Sequence, residues 1–140
     1  ADASLDDVFA GHFLEHLTPD HARAFLAECH RCLVPGGRLG LVVPDTREIM
    51  RRYAVGLHTR VEYPEGTFLD AGDLDAICAL FLYSTVQDSP HLWSYDLDTL
   101  TRLVEGAGFQ VMGEIDRYAD PRVSTSRWYQ CGVDAVKREG

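Results

Sequence analysis

At 140 residues, with 46% hydrophobic and 25% charged side chains, the chain has the composition of one soluble globular domain with its own core, which excludes a disordered or fibrous protein. A formal net charge of -9 disfavours nucleic acid, because phosphate recognition needs a clustered basic surface and the densest basic stretch is Arg47, Arg51 and Arg52. No run of about 18 apolar residues occurs and the opening ADASLDD is acidic, so no membrane span or signal peptide is expected and a cytoplasmic protein with a small-molecule or protein partner is. The cysteines are too few for a disulfide scaffold and read as buried thiols.

In chain order, Val8-Phe9-Ala10 is a short apolar run ending at Gly11 and predicts a buried strand. Thr18 as N-cap and Pro19 at the first helical position open a helix whose apolar face is Ala22, Phe25, Leu26, Cys29 and Leu33, with Pro35-Gly36-Gly37 as its stop. Leu39-Gly40-Leu41-Val42-Val43 is a continuous apolar run, the pattern of a strand covered on both faces in a parallel sheet. Strand, helix and strand make a βαβ unit. Asp45 or Thr46 caps a helix carrying Ile49, Met50 and Tyr53; residues 57–69 read as loop; Asp70 or Asp73 opens a helix through Leu74, Ile77, Cys78 and Phe81. The 86–95 segment concentrates His, Trp and Tyr without a period. Asp96 caps a helix through Leu97, Leu100, Leu103 and Val104 that ends at Gly106 and Gly108. Residues 109–115 and 128–136 predict two last strands, joined across 116–126.

Two short motifs invite metal or redox chemistry. His12-Phe13-Leu14-Glu15-His16 matches the H-x-x-E-H pattern of inverted zinc peptidases, in which one helix holds both imidazoles. Here Thr18-Pro19 starts a new helix, and the residue before a proline is pushed out of the α region, so a helix containing the motif would span roughly seven residues. No third zinc ligand has diagnostic spacing. The motif is therefore expected to be a strand-to-helix loop and no metal is assigned, with a zinc hydrolase as the remote alternative. Cys29-His30-Arg31-Cys32 lies at the end of a helix, where the dipole disfavours a thiolate, so packing is expected rather than redox chemistry.

Ser4-Leu5-Asp6, Leu14-Glu15-His16-Leu17, Arg31-Cys32-Leu33-Val34-Pro35-Gly36-Gly37, Pro44-Asp45 and the Ala107-Gly108-Phe109 that follows the last helix stand in an order that resembles the second half of class I S-adenosylmethionine-dependent methyltransferases of the small-molecule type. The resemblance implies an α/β, Rossmann-like methyltransferase fold, present in part, with parallel strands and a C-terminal antiparallel hairpin. It further implies that residues 1–140 are the C-terminal part of a single methyltransferase-like domain, because the family's Gly-rich cofactor loop and its ribose-binding acid are absent. The glycines at Gly36-Gly37 and Gly40 lead into a strand, whereas a nucleotide loop leads out of one.

In an open α/β sheet the ligand crevice lies beyond the carboxyl ends of the strands, here at Gly11-His12 and Pro44-Asp45. By analogy Ala10, Gly11, His12 and His16 are expected against S-adenosylmethionine, with His12 as the base or acceptor-orienting group. A histidine bonding the neighbouring backbone is the plainer reading of His12. Glu15 and His16 are expected to tie the following helix to the sheet. Asp45, His91, Trp93 and Tyr95 are expected on the substrate side, the aromatic faces suiting a sulfonium or ammonium; Asp45 as a helix cap and Trp93 and Tyr95 as core residues are the bland counterparts. Arg51 and Arg52 could hold an anion, although solvated helix charges are commoner. The expected function is methyl transfer to a small-molecule acceptor, incomplete in this chain alone. Its alternative is a catalytically silent half-domain that meets a partner chain or a second copy through an exposed sheet edge.

Overall fold

The computed structural model describes residues 1–55, 61–62, 68–69, 90–115 and 128–138. Strand β1 is Leu5–Gly11, longer than the apolar run within it. Leu5 to Asp7 are exposed and Val8 to Gly11 half-buried, so this is an outer strand of the described sheet rather than a fully buried one. Its polar start is held by parallel pairing with β2 (Leu33–Pro44), Leu5 opposite Leu33 and Asp7 opposite Arg38, with a bulge between.

Between them, helix α1 (Pro19–Cys32) starts as expected: Thr18 is extended, its hydroxyl accepts from His21 N at 3.4 Å, and proline occupies the first turn. Ala22, Leu26 and Cys29 are buried. The helix stops earlier than the glycines suggest. Leu33 is already extended, with φ -71 and ψ 142, and fully buried in the core, while Val34 is pushed toward the extended region by Pro35. Pro35-Gly36-Gly37 therefore lies inside the span of β2, where Gly36 takes φ +75 and a Cβ on Gly37 would stand 2.8 Å from the Val34 carbonyl.

Asp45 caps helix α2 (Thr46–Ala54), its Oδ1 accepting from Glu48 N at 3.1 Å. Ile49 is buried, but Met50 is 56% exposed and does not serve the core. Within the stretch expected to be loop, β3 (Val61–Glu62) and β4 (Phe68–Leu69) form a short antiparallel pair. Expectations for the Tyr53 side chain, for the helix opened by Asp70 or Asp73 with Leu74, Ile77, Cys78 and Phe81, for residues 86–89 and for 116–127 fall outside the described residues.

Asp96 caps α3 (Leu97–Gly106) through a 2.7 Å bond from Thr99 N, and Gly108, at φ +94, turns the chain into β5 (Phe109–Glu114). Strand β6 (Gln130–Lys137) then enters between β2 and β5, antiparallel to both, giving the order β1-β2-β6-β5. Register places Leu39, Leu41 and Val43 opposite Ala135, Val133 and Cys131. All six belong to the core that α1 and α3 close with Leu26, Leu100 and Val104. Val42 is fully buried although it points to the other face, so β2 is covered on both sides as its apolar run implies. Among the described residues no helix is long and apolar enough to cross a membrane.

Candidate functional site

Three strand ends meet at one edge of the sheet. β1 and β2 are parallel and finish there at Gly11 and Pro44; β6, being antiparallel, begins there at Gln130, opposite Pro44. His12 leaves β1 with its N–H donating to Val42 O at 2.9 Å and its backbone at φ +51, a left-handed conformation uncommon for a residue with a Cβ and frequent at functional turns. The Gln130 side-chain amide donates to His12 Nε2, which leaves the ring proton on Nδ1, 3.2 Å from Glu15 Oε1. Both imidazole nitrogens are thus engaged.

Glu15 is the anomaly of the edge. It sits in the 3-10 turn Leu14–His16 and is only 1% exposed. Neither carboxylate oxygen makes a well-aligned hydrogen bond among the described residues. His12 Nδ1 at 3.2 Å and His91 Nε2 at 3.9 Å are its ion-pair neighbours. Its backbone carbonyl accepts from Leu92 N at 2.7 Å and Trp93 N at 3.1 Å, and this pair of bonds straps the 90–93 segment across the turn. His16 faces the same strap, with Nδ1 3.2 Å from Pro90 O and its ring edge-on to His91 at 4.8 Å. Glu15, His16 and His91 offer ligand atoms that all lie within 4.8 Å of one another. Burial holds the His91 pKa below the usual imidazole value, opposed by the Glu15 charge.

A parallel βαβ edge continued by an antiparallel hairpin, with its loops gathered at the strand ends, has known counterparts. A family model described as a methyltransferase domain matches residues 1–41. In structure, 99% of the chain superposes on 46% of the 1,6-didemethyltoxoflavin-N1-methyltransferase of Burkholderia thailandensis, solved with 1,6-didemethyltoxoflavin and S-adenosylhomocysteine, at TM-score 0.56 and 15% identity. A second protein of that organism, of an O-methyltransferase family, is matched over 99% of this chain and 32% of its own length at TM-score 0.59 and 15% identity. An S-adenosylmethionine-dependent methyltransferase of Methanosarcina mazei is matched over 99% and 62% at TM-score 0.55 and 14% identity. The fold is that of a class I methyltransferase. The chain spans less than two thirds of the length of each of these structures. No curated protein matches it.

Within this methyltransferase fold the residues singled out from sequence divide into two groups. Ala10, Gly11, His12, Glu15, His16 and His91 come together at the strand ends. The residues expected on the substrate side lie in different environments: Tyr95 is buried in the core, where burial and then the Glu15 charge raise its pKa, whereas Trp93 is 48% exposed. His91 and Trp93, two residues apart, would share a face of a regular strand; residues 90–94 are irregular, so His91 is half-buried and Trp93 exposed, while backbone bridging between Asp45 and Tyr95 pulls the end of the segment inside. Asp45 spends its carboxylate on the cap of α2. Arg51 and Arg52 both bind Glu48, whose pKa they hold down to about 2, and Arg47 binds Asp96 and Asp98. Cys29 is buried with its thiol pushed up to about 11, in keeping with packing. Sequence reasoning missed Gln130; its one signal is a lone amide at the start of a strand, just ahead of Cys131-Gly132-Val133.

Proposed function

We propose that the chain is the C-terminal part of a class I methyltransferase domain and contributes to methyl transfer from S-adenosylmethionine to a small-molecule acceptor. The observation that supports this best is the convergence of Gly11-His12, Pro44-Asp45 and Gln130 at the carboxyl edge of a parallel pair in a methyltransferase fold. The edge fits one wall of a cofactor site: Ala10 and Gly11 are small and half-buried, and the left-handed backbone of His12 turns the chain away from the strand end. The rest of such a site is not among the described residues, since no Gly-rich turn leads from a strand into a helix and the strand-end acid, Asp45, caps α2.

S-adenosylmethionine supplies a methyl group on a sulfonium. Transfer is an in-line displacement that asks the protein mainly to align the reactants and exclude water. In this reading Ala10, Gly11, His12 and His16 line the cofactor side, and His91 with the exposed Trp93 borders the acceptor. Asp45 and Tyr95 support the edge from behind. His12 orients rather than abstracts while Gln130 holds Nε2; it gains a lone pair for an acceptor proton only when that amide swings aside. Calorimetric titration of S-adenosylmethionine into the 140-residue chain, and into any longer chain that contains it, tests the proposal. Binding by either supports it, with the weaker signal expected from the short chain; binding by neither refutes it.

A further inference from the structure

We infer that Glu15, His16 and His91 form a binding site for a first-row divalent transition metal such as Zn2+ or Co2+, with His12 as an outer partner of the Glu15 carboxylate. The starting observation is energetic. A carboxylate that is 1% exposed and makes no well-aligned hydrogen bond among the described residues carries a desolvation cost that two neighbouring imidazoles at 3.2 and 3.9 Å offset only in part. A cation in that position would supply the missing partner.

The donors are held for the purpose. His91 cannot drift from Glu15, because the Glu15 carbonyl binds the amides of both following residues, Leu92 and Trp93. His16 is the next residue of the same 3-10 turn, and its Nδ1 lies 3.2 Å from the Pro90 carbonyl, the backbone anchor that metal-binding imidazoles commonly use for the other ring nitrogen. Bonds of about 2.0–2.1 Å in a tetrahedral site put ligand atoms roughly 3.3 Å apart. The present separations, within 4.8 Å, have to shorten toward that value when a metal enters. Two imidazoles and one carboxylate are a borderline donor set, matched to zinc, cobalt or manganese rather than to calcium or magnesium, which take oxygen ligands. The geometry differs from the helical peptidase arrangement: the first histidine of HFLEH faces the carboxylate and the distant His91 takes the ligand position.

The inference does not depend on methyl transfer, and metal binding is measured without S-adenosylmethionine. Equilibrium dialysis and calorimetry with Zn2+, and the visible absorption of Co2+, are expected to give one equivalent bound to the wild-type chain. Glu15→Gln and His91→Ala each lower that affinity by more than about 100-fold, and His12→Ala by about 10–100-fold, the range of an outer partner. His21→Ala, on the exposed side of α1, leaves it unchanged. Zn2+ raises the melting temperature of the wild type and of His21→Ala but not of Glu15→Gln, which separates a lost ligand from a lost fold. No stoichiometric metal in the wild type, or affinity unmoved in both Glu15→Gln and His91→Ala, overturns the inference.

Discussion

Gly132→Ala tests whether the sheet is packed as described, because the whole edge depends on how closely β6 lies against β2. Gly132 pairs with Val42 in the middle of the antiparallel ladder. A Cβ there would stand 2.3 Å from the Leu41 carbonyl, 2.7 Å from Ile115 Cγ2 and 2.9 Å from Val42 Cγ2. The first neighbour is backbone of a fully buried strand and cannot rotate away, so the strands must part. Overpacking of this kind costs about 1–3 kcal/mol and sometimes more. The backbone clash points to the upper end, about 3 kcal/mol. For a domain of this size each kcal/mol shifts the melting temperature by about 3–4 °C, so a fall of about 10 °C is expected in thermal unfolding followed by circular dichroism. Gly106→Ala is the matched control: nothing lies within 4 Å of a Cβ there, and the substitution at a helix end is expected to be neutral or to stabilise by up to about 1 kcal/mol. A Gly132→Ala melting temperature within a degree or two of the wild type would mean that β6 does not pack on β2 in this register.

Acid should destabilise the chain between about pH 4.5 and 2 through Glu48 and Asp96, both held down to about 2 by their hydrogen bonds. Their folded pKa values lie below the unfolded ones, so the unfolded chain binds more protons in that window and stability present above it is lost as pH falls. The Glu48→Gln, Asp96→Asn double variant should show a visibly flatter melting-temperature profile there; an unchanged profile would refute the assignment. Removing the N-cap hydroxyl by Thr18→Ala should cost about 1 kcal/mol in denaturant unfolding. Cys29 and Cys131, buried with thiols pushed up to about 11 and about 12, should resist a thiol reagent at pH 7 in the folded chain, while the half-buried Cys32 reacts first of the three described cysteines. Labelling of Cys131 at the rate of Cys32 would contradict its place in the core.

The parts of the fold written in local chemistry were legible. Thr18-Pro19, Asp45 and Asp96 each state a helix start within four residues, and the run from Leu39 to Val43 states a doubly covered strand. Their order was enough for the resemblance that the comparisons support as a fold. What remained hidden depends on the sheet order. Gln130 reaches His12 across 118 residues only because β6 enters antiparallel beside β2, a pairing that no spacing announces. The end of α1 was misplaced for a related reason: Leu33 has the helical period, but the core claims it as the first residue of a strand. Trp93 and Tyr95 look like one aromatic cluster in sequence, and they part because the bridge to Asp45 draws Tyr95 into the core while Trp93 lies in the irregular segment before it.

The charges explain why the edge stands apart from the rest of the molecule. Arg23, Arg31, Arg38, Arg47, Arg51 and Arg52 each meet a carboxylate near the surface, where water would satisfy either partner anyway and each pair is worth little. Glu15 reverses the pattern. Among the described residues it is the one buried acid, and imidazoles rather than guanidinium groups face it. An Arg in that place would neutralise the site permanently and fill it. Histidines can instead present nitrogen lone pairs, so the same turn can receive a cation beside the strand ends where the cofactor wall is proposed. A charge-neutral Glu15→Gln turn should therefore keep the 90–93 strap, whose bonds run through the backbone carbonyl, and lose the cation. Loss of both together would show instead that the carboxylate serves only to hold the turn.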